Sequence, residues 1–280
     1  MIHTLEEKIK LSNGTQIPGF GLGVFKVPDN ETKDSVKEAI INGYRLIDTA
    51  QIYGNEEGTG QGIREGLTAA GIKREDLFIT SKVWNNHLSY EETITAYDDS
   101  LTKMGLEYLD LYLIHWPGNN AFEASWKALE HLYKNGKIKG IGVSNFRQHH
   151  LEKLLSFAEV MPVLNQIELH PKLIQKELRE FCMKHQIAVQ AWSPLMQGQI
   201  LTNPLIESLA IKYGRTTAQI VLRWGIQQDI LLVSKSTKPE RIISNAQLFD
   251  FQLSDEDMVK ISSLNENLRV GPDPDQFDFA

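Results

Sequence analysis

Leu109-Asp110-Leu111-Tyr112-Leu113-Ile114-His115-Trp116, a helical stretch, and then Ile138-Lys139-Gly140-Ile141-Gly142-Val143-Ser144 form the segment that decides the fold. Both ends are short, nearly continuous apolar runs, the pattern of strands covered on both faces, as in parallel sheets. Between them a helix carries Trp126, Leu129 and Leu132, and Asn135-Gly136 stops it, with glycine suited to the left-handed position after a last turn. Working outward, similar runs occur at Phe20–Val24, Leu46–Thr49, Leu77–Val83, Leu164–Leu169, Ala188–Trp192 and Ile230–Ser234, with amphipathic stretches between them. Strands alternating with helices in this number predict an α/β chain folded as a (β/α)8 TIM barrel, one domain over residues 1–280. The alternative, an open doubly wound sheet, would normally divide into two halves and carry a dinucleotide fingerprint. Gly58-Thr59-Gly60-Gln61-Gly62 follows a loop and misses the G-x-G-x-x-G register, so it reads as a helix start that packs closely.

Three pieces lie outside the repeat. Lys8–Leu11 and Thr15–Ile17, joined by Asn13-Gly14, predict an N-terminal hairpin with a type I′ turn over the barrel's N-terminal mouth. Thr216–Gln228 reads as an extra helix between strands seven and eight. Ser254–Leu264 reads as a closing helix, followed by a short tail from Gly271 to Asp278. Asn30 is the expected cap of the helix running through Val36 and Ile40, and Ser89 with Glu92 forms a capping box.

Composition narrows the function. The 280 residues are 41% apolar and 23% charged, with a net charge of −7 and both signs interspersed. Nothing here follows a phosphate backbone or an anionic membrane, so neither nucleic acid nor membrane is an expected partner. A single cysteine, Cys182, excludes an intramolecular disulfide and fits a reducing compartment. The start, Met1 to Glu7, lacks a signal peptide's basic and apolar regions, and no apolar run approaches the roughly 20 residues that span a bilayer. A soluble, cytoplasmic protein is expected.

In such barrels the chemistry sits at the C-terminal ends of the strands. There this chain places Asp48, Tyr53, Lys82 and His115, then Ser144-Asn145, Gln166, Trp192-Ser193 and Lys235-Ser236. A tyrosine titrates near pH 10 when left alone. A neighbouring lysine favours the phenolate and lowers that value, and a carboxylate can hold the lysine charged. The set suits an enzyme that protonates an oxygen as negative charge develops on it. Taken singly, each residue has a blander reading: Asp48 as a strand-end ion pair, His115 as a core histidine, Trp84 and Trp116 as barrel packing, Lys235 and Arg241 as solvated cations.

Gly43-Tyr44-Arg45-Leu46-Ile47-Asp48-Thr49-Ala50 with Tyr53-Gly54-Asn55-Glu56 resembles the first signature of the aldo-keto reductases. Ser81-Lys82-Val83-Trp84, Leu113-Ile114-His115-Trp116-Pro117, Gly142-Val143-Ser144-Asn145-Phe146, Asn165-Gln166-Ile167-Glu168, Trp192-Ser193-Pro194-Leu195 and Lys235 to Asn245 resemble its later segments, in order. The ending Arg269 to Pro274 is similar to bacterial glyoxal and methylglyoxal reductases. This resemblance implies NADPH-dependent reduction of small aldehydes, ketones and dicarbonyls. By position, Tyr53 is the proton donor, Lys82 tunes it, Asp48 pairs with Lys82, and His115 orients the carbonyl. Ser144, Asn145 and Gln166 would hydrogen-bond the carboxamide of NADPH or NADP+, and Trp192 would stack on its ring. Gly23, Val24 and Phe25, with Ser193, Pro194, Leu195, Gln197 and Gly198, would line the cofactor groove. Lys235, Ser236, Arg241 and Asn245 would hold its adenosine 2′-phosphate end, which favours NADPH over NADH. Phe25, Tyr53, Trp84, His115 and Trp116 would line an open substrate pocket, left permissive by the short Gly118-Asn119-Asn120 loop and the short tail. A monomer is expected by the same resemblance. Ser234, Ser244, Phe25 and Trp192 depart from common family residues, which bears on cofactor affinity and pocket shape.

Two other classes stand against this reading. One is a non-catalytic cofactor-binding barrel acting as a regulatory or binding subunit, which the intact set of four disfavours. The other is a metal-dependent hydrolase, which needs His and carboxylate ligands clustered at the rim. No metal site is expected: Cys182 with His185 offers too few ligands, and His149-His150 reads as a solvated helix start. Tyr133 and Lys137 have a dehydrogenase-like spacing, but Asn135-Gly136 breaks the helix between them.

Overall fold

The computed structural model describes residues 2–118 and 121–277. The eight expected runs become strands β3 Phe20–Gly23, β4 Leu46–Asp48, β5 Phe78–Val83, β6 Leu111–Ile114, β7 Ile141–Ser144, β8 Leu164–Glu168, β9 Ala188–Trp192 and β10 Leu231–Ser234. Each pairs in parallel with the next, and β10 pairs with β3 to close the barrel. The strands are shorter than the apolar runs. Leu109 and Ile138 meet only as an isolated bridge, and Asp110 and Lys139 next to them form an ion pair.

Successive side chains on a strand point to opposite faces. Leu46, Phe78, Leu111, Leu113, Leu164, Leu231 and Val233 fill the barrel interior, while Ile47, Ile79, Tyr112, Ile114, Val143 and Ile167 pack outward in the larger core that includes the helices. Continuing upward on the inward face, the same period brings Asp48 above Leu46, Lys82 above Phe78, His115 above Leu113, and Gln166 above Leu164. The polar rim is thus the upward continuation of the interior apolar layers.

The lower mouth is plugged by β1 Lys8–Lys10 and β2 Gln16–Pro18, an antiparallel pair. Leu11 and Ile17 reach under Leu46, Phe78 and Leu111. The turn differs from the expected type I′. Leu11 and Thr15 still pair, so the loop has three residues, Ser12-Asn13-Gly14, and only Gly14 takes a positive φ, +89°. Asn13 Nδ2 and Thr15 Oγ1 each donate to the Lys139 carbonyl at 2.9 Å, which seats the plug.

The helices are α1 Asp29–Ile41, α2 Glu56–Ala70, α3 Tyr90–Met104, α4 Glu123–Lys134, α5 Gln148–Leu155, α6 Lys176–Lys184, α7 Pro204–Tyr213, α8 Thr217–Ile226, α9 Pro239–Ala246 and α10 Asp255–Ser262. Helix α1 starts after Pro28, so Asn30 lies inside its first turn and does not cap it. Ser89 caps α3 as expected, its Oγ accepting from Glu92 N. The glycines of α2 do pack closely. A Cβ on Gly58 or Gly62 would lie 2.4 or 2.5 Å from the Asp29 or Lys33 carbonyl of α1, and on Gly60 2.1 Å from the Met104 carbonyl of α3. Among the described residues, no helix is long and apolar enough to cross a membrane.

Candidate active site

The upper rim gathers the four residues first singled out. Lys82 is fully buried; its Nζ donates to Asp48 Oδ1 at 2.7 Å, to the Thr49 carbonyl at 2.9 Å and to Tyr53 Oη at 3.4 Å. Strand pairing holds Asp48 beside Thr80, two residues before Lys82, and a 3-10 turn, Gln51–Tyr53, carries the phenol across the pair. Burial alone would lower the Lys82 pKa, but Asp48 and then Tyr53 outweigh it, and the ammonium is held charged. The Tyr53 phenol moves the other way from expectation. Burial raises its pKa, and Lys82 limits the rise without reversing it. Tyr53 remains partly exposed, so water moderates that rise. The phenol therefore keeps its proton through neutral pH. His115 is buried and also near the Lys82 cation, and both push its pKa well below the ordinary histidine value, so the imidazole is neutral.

Aromatic rings close in around this set. Centroids of Phe25 and Tyr53 are 5.0 Å apart, Tyr53 and His115 5.6 Å, Trp84 and His115 5.2 Å, and His115 and Trp116 6.5 Å. Every residue expected to line the pocket is in this ring cluster. The rings surround the phenol and the imidazole with apolar surface, a chemistry suited to a small carbonyl compound.

Amide side chains form the adjoining wall. Gln166 Nε2 donates to Asp48 Oδ2 at 2.8 Å and to Gln190 Oε1 at 2.7 Å, so its Oε1 is left to accept. Ser144 Oγ donates to the Gln166 carbonyl at 2.9 Å, and Asn145 Nδ2 donates to Ser144 Oγ at 3.1 Å and to the His115 carbonyl at 3.0 Å. Trp192 Nε1 donates to Asn145 Oδ1 at 2.8 Å. Asn145 is thus engaged within the protein through both its nitrogen and its oxygen, and Gln166 presents the uncommitted amide oxygen.

Beside this wall lie the C-terminal ends of β3 and β9, on either side of β10. Gly23 pairs with Asp48, Val24 N donates to the Asp48 carbonyl, and Phe25 is about half exposed, at 49%. Across from them, Ser193, Met196, Gln197 and Gly198 all take positive φ around Pro194 and Leu195, a strained course of the kind that clusters at ligand clamps. Beyond β10, Lys235 and Arg241 are exposed and have no ion-pair partner among the described residues. Ser236 is buried and its Oγ accepts from Lys238 N at 3.1 Å, and Asn245 is buried on α9. Unpaired cations beside a helix N-terminus suit an anion such as a phosphate.

Sequence reasoning missed the tail. From Arg269 onward the chain crosses the rim, with Val270 N and Gly271 N donating to the buried Glu168 carboxylate at 2.6 and 3.2 Å. Arg147 Nη2 donates to Asp273 at 2.6 Å, and Arg147 Nη1 also binds Asp275. Phe277 then packs tilted against Trp116 and edge-on against Trp84, with centroids 4.7 and 6.3 Å away. The short tail therefore covers the pocket mouth, where an open pocket was expected; Asn119 and Asn120 lie outside the described residues. His150 is buried, not solvated, and only His149 is exposed. Together with Asp275 they have the spacing of metal ligands. However, His150 Nδ1 accepts from Arg147 N, which leaves the ring proton on Nε2, facing Asp275. These side chains read as a hydrogen-bonded anchor for the tail. The signal available in the sequence was Glu168, a carboxylate on a strand read as covered on both faces.

Comparison with known proteins supplies the context. The model of the aldo/keto reductase family matches residues 11–266. The uncharacterized oxidoreductase YtbE of Bacillus subtilis is 58% identical over 276 residues, covering 98% of this chain and 99% of the relative. Glyoxal reductase of the same organism is 55% identical over 277 residues, covering 99% of each. Among solved structures, the Bombyx mori aldo-keto reductase in complex with NADP superposes with a TM-score of 0.89 at 35% identity, covering 97% of this chain and 96% of that one.

Proposed function

Because the chain belongs to the aldo/keto reductase family, we propose that it reduces small aldehydes, ketones and dicarbonyls of the glyoxal and methylglyoxal type to alcohols, with NADPH as cofactor. The observation that carries this reading is the buried Lys82, bonded to Asp48 and reaching Tyr53 Oη beside the Phe25 and His115 rings. NADPH, when bound, supplies hydride to the carbonyl carbon. The protein supplies the proton: Tyr53 Oη donates to the carbonyl oxygen as charge grows there, and Lys82 stabilises the phenolate left behind. Neutral His115 holds the same oxygen in line without competing as an acid. Trp84, Trp116 and Phe25 exclude water, which strengthens these interactions.

The cofactor groove supports the same reading. Gln166 Oε1 is oriented to accept from a carboxamide, with Ser144, Asn145 and Trp192 beside it. The backbone at Gly23 to Phe25 and Ser193 to Gly198 would flank the pyrophosphate and ribose. Lys235, Ser236, Arg241 and the first turn of α9 would take the 2′-phosphate, with Asn245 on the same helix. The name of the glyoxal reductase relative supports a dicarbonyl substrate, and the NADP complex of the solved relative supports the cofactor.

Purified protein should oxidise NADPH in the presence of glyoxal or methylglyoxal, and EDTA should leave the rate unchanged. Absence of turnover across a panel of dicarbonyls, aromatic aldehydes and sugars would refute the enzyme reading in favour of a cofactor-binding barrel. Arg241→Ala should raise KM for NADPH about tenfold or more and leave KM for NADH little changed, the loss of one charge-assisted contact. Equal changes for both would remove Arg241 from the phosphate site.

A further inference from the structure

Gln190 is a fully buried polar side chain on the inward face of β9 and does not reach the pocket. Its strand neighbours are Gln166 on β8 and Leu231 on β10, and Leu164, paired with Ala188, lies one inward-facing step below Gln166. Leucine would fill such a position at less cost, because the Gln190 Nε2 is buried without a hydrogen-bond partner. What the glutamine has that leucine lacks is Oε1, which accepts from Gln166 Nε2 at 2.7 Å.

That bond determines which way the Gln166 amide faces. Its NH2 group has two hydrogens, and both point at acceptors: Asp48 Oδ2 on one side and Gln190 Oε1 on the other. A reversed amide would set its oxygen against the Asp48 carboxylate and against Gln190 Oε1, so the two acceptors exclude it. Asp48 alone would restrain one hydrogen and leave the amide plane to rock. The second acceptor locks the plane and turns Oε1 away from both. The same contacts link Tyr53, Lys82, Asp48, Gln166 and Gln190 into one buried chain of hydrogen bonds.

We propose that Gln190 is a positioning residue of the cofactor site: it fixes the Gln166 amide with its oxygen toward the nicotinamide carboxamide, and so registers the hydride donor against the Tyr53–Lys82–Asp48 set. The proposal rests on the NADPH-dependent reading above, and it predicts an effect confined to the nicotinamide end of the ligand. Gln190 bonds Gln166 and not Lys235 or Arg241, so the adenosine end should be independent of it.

The test uses the full chain with Gln190→Leu, which removes the acceptor at similar volume, and Gln190→Glu, which keeps one. Burial favours the protonated acid of Gln190→Glu, whose carbonyl oxygen can still accept from Gln166. Affinities for NADPH and for adenosine 2′,5′-bisphosphate are measured by fluorescence titration, with the melting temperature of the ligand-free protein. The Leu variant should melt within a few degrees of the parent and bind the bisphosphate unchanged. It should bind NADPH about fivefold more weakly, the equivalent of one neutral hydrogen bond, and Gln190→Glu should recover most of that loss. Unchanged NADPH affinity in Gln190→Leu overturns the proposal, as does an equal loss for both ligands, which would mark a purely structural role. Should Gln190→Leu not fold, Gln190→Met carries the same comparison. If the parent protein binds NADPH but reduces no carbonyl, the enzyme reading fails while these binding ratios still decide the role of Gln190.

Discussion

Asp48 and Asp110 stand at opposite ends of the same barrel, each nearly inaccessible and each against cationic side chains. At the lower end, Asp110 Oδ2 accepts from Arg74 Nη2 at 2.8 Å and from Ile79 N at 2.9 Å, and Oδ1 accepts from Lys139 Nζ at 2.8 Å. Both cations also lie over the Tyr108 ring, at 4.2 and 4.3 Å, and both reach solvent. Every bond there joins one backbone segment to another. At the upper end the cation is sealed, and one of its donors reaches the hydroxyl of a partly exposed tyrosine ringed by Phe25 and His115. A buried charge pair is therefore not by itself the mark of chemistry. The mark is a bond left over that points from the pair to a group a substrate can touch.

The comparison can be broken from either end. Lys82→Met should lower kcat/KM for methylglyoxal by about 10³-fold, within the range for losing an assisted general acid, while circular dichroism shows a folded protein. A loss under tenfold would reduce the upper pair to a structural one. Asp110→Ala should do the reverse. It should cost about 2–4 kcal/mol of stability, since two cations and a strand N–H lose their acceptor. Its kcat/KM should stay within about twofold, the small surface-type effect expected of a change remote from the chemistry. A parallel collapse of activity in folded Asp110→Ala protein would erase the distinction between the two ends.

A third buried group sharpens the contrast with a smaller effect. His150 is pushed down to about 4, by burial first and by the neighbouring His149 second, with Arg147 adding to this and Asp275 opposing it. The folded imidazole is thus neutral where the unfolded one titrates near 6.5. The unfolded chain binds more protons between those values, so the contribution is full above about pH 6.5 and is lost as pH falls toward 4. It should amount to about 3 kcal/mol at most. Melting temperature should fall between pH 7 and pH 5, and less steeply in His150→Gln, whose amide oxygen can still accept from Arg147 N. Identical slopes would remove His150 from the anchor of the tail.

Much of this architecture was legible in the sequence, for a physical reason. Strands covered on both faces must be apolar throughout, so Leu109 to Trp116 and its counterparts stood out, and the polar residues closing them marked the rim. The strand ends were not legible: Asp110 N and Lys139 N still donate to the Ile79 and Leu109 carbonyls below the regular strands, while their side chains pair across distant segments. Pro28 set the start of α1 ahead of Asn30, since proline already has the dihedral that precedes a first turn. The direction of the Tyr53 pKa depends on how much water reaches the hydroxyl, which residue identity does not encode. The tail lies 160 or so residues along the chain from Trp116, and only the folded rim brings Phe277 onto it. Gln190 could have been noticed as an amide inside an apolar run, but its bond to Gln166 needed the β8–β9 register.

The most direct test of the account is Tyr53→Phe, measured as kcat/KM for methylglyoxal with NADPH, alongside the dissociation constant for NADPH. If the upper set is the proton-donating machinery, kcat/KM falls by about 10³-fold or more while NADPH binding stays within about threefold. A variant that binds NADPH normally and keeps more than a tenth of the parent's kcat/KM would contradict it.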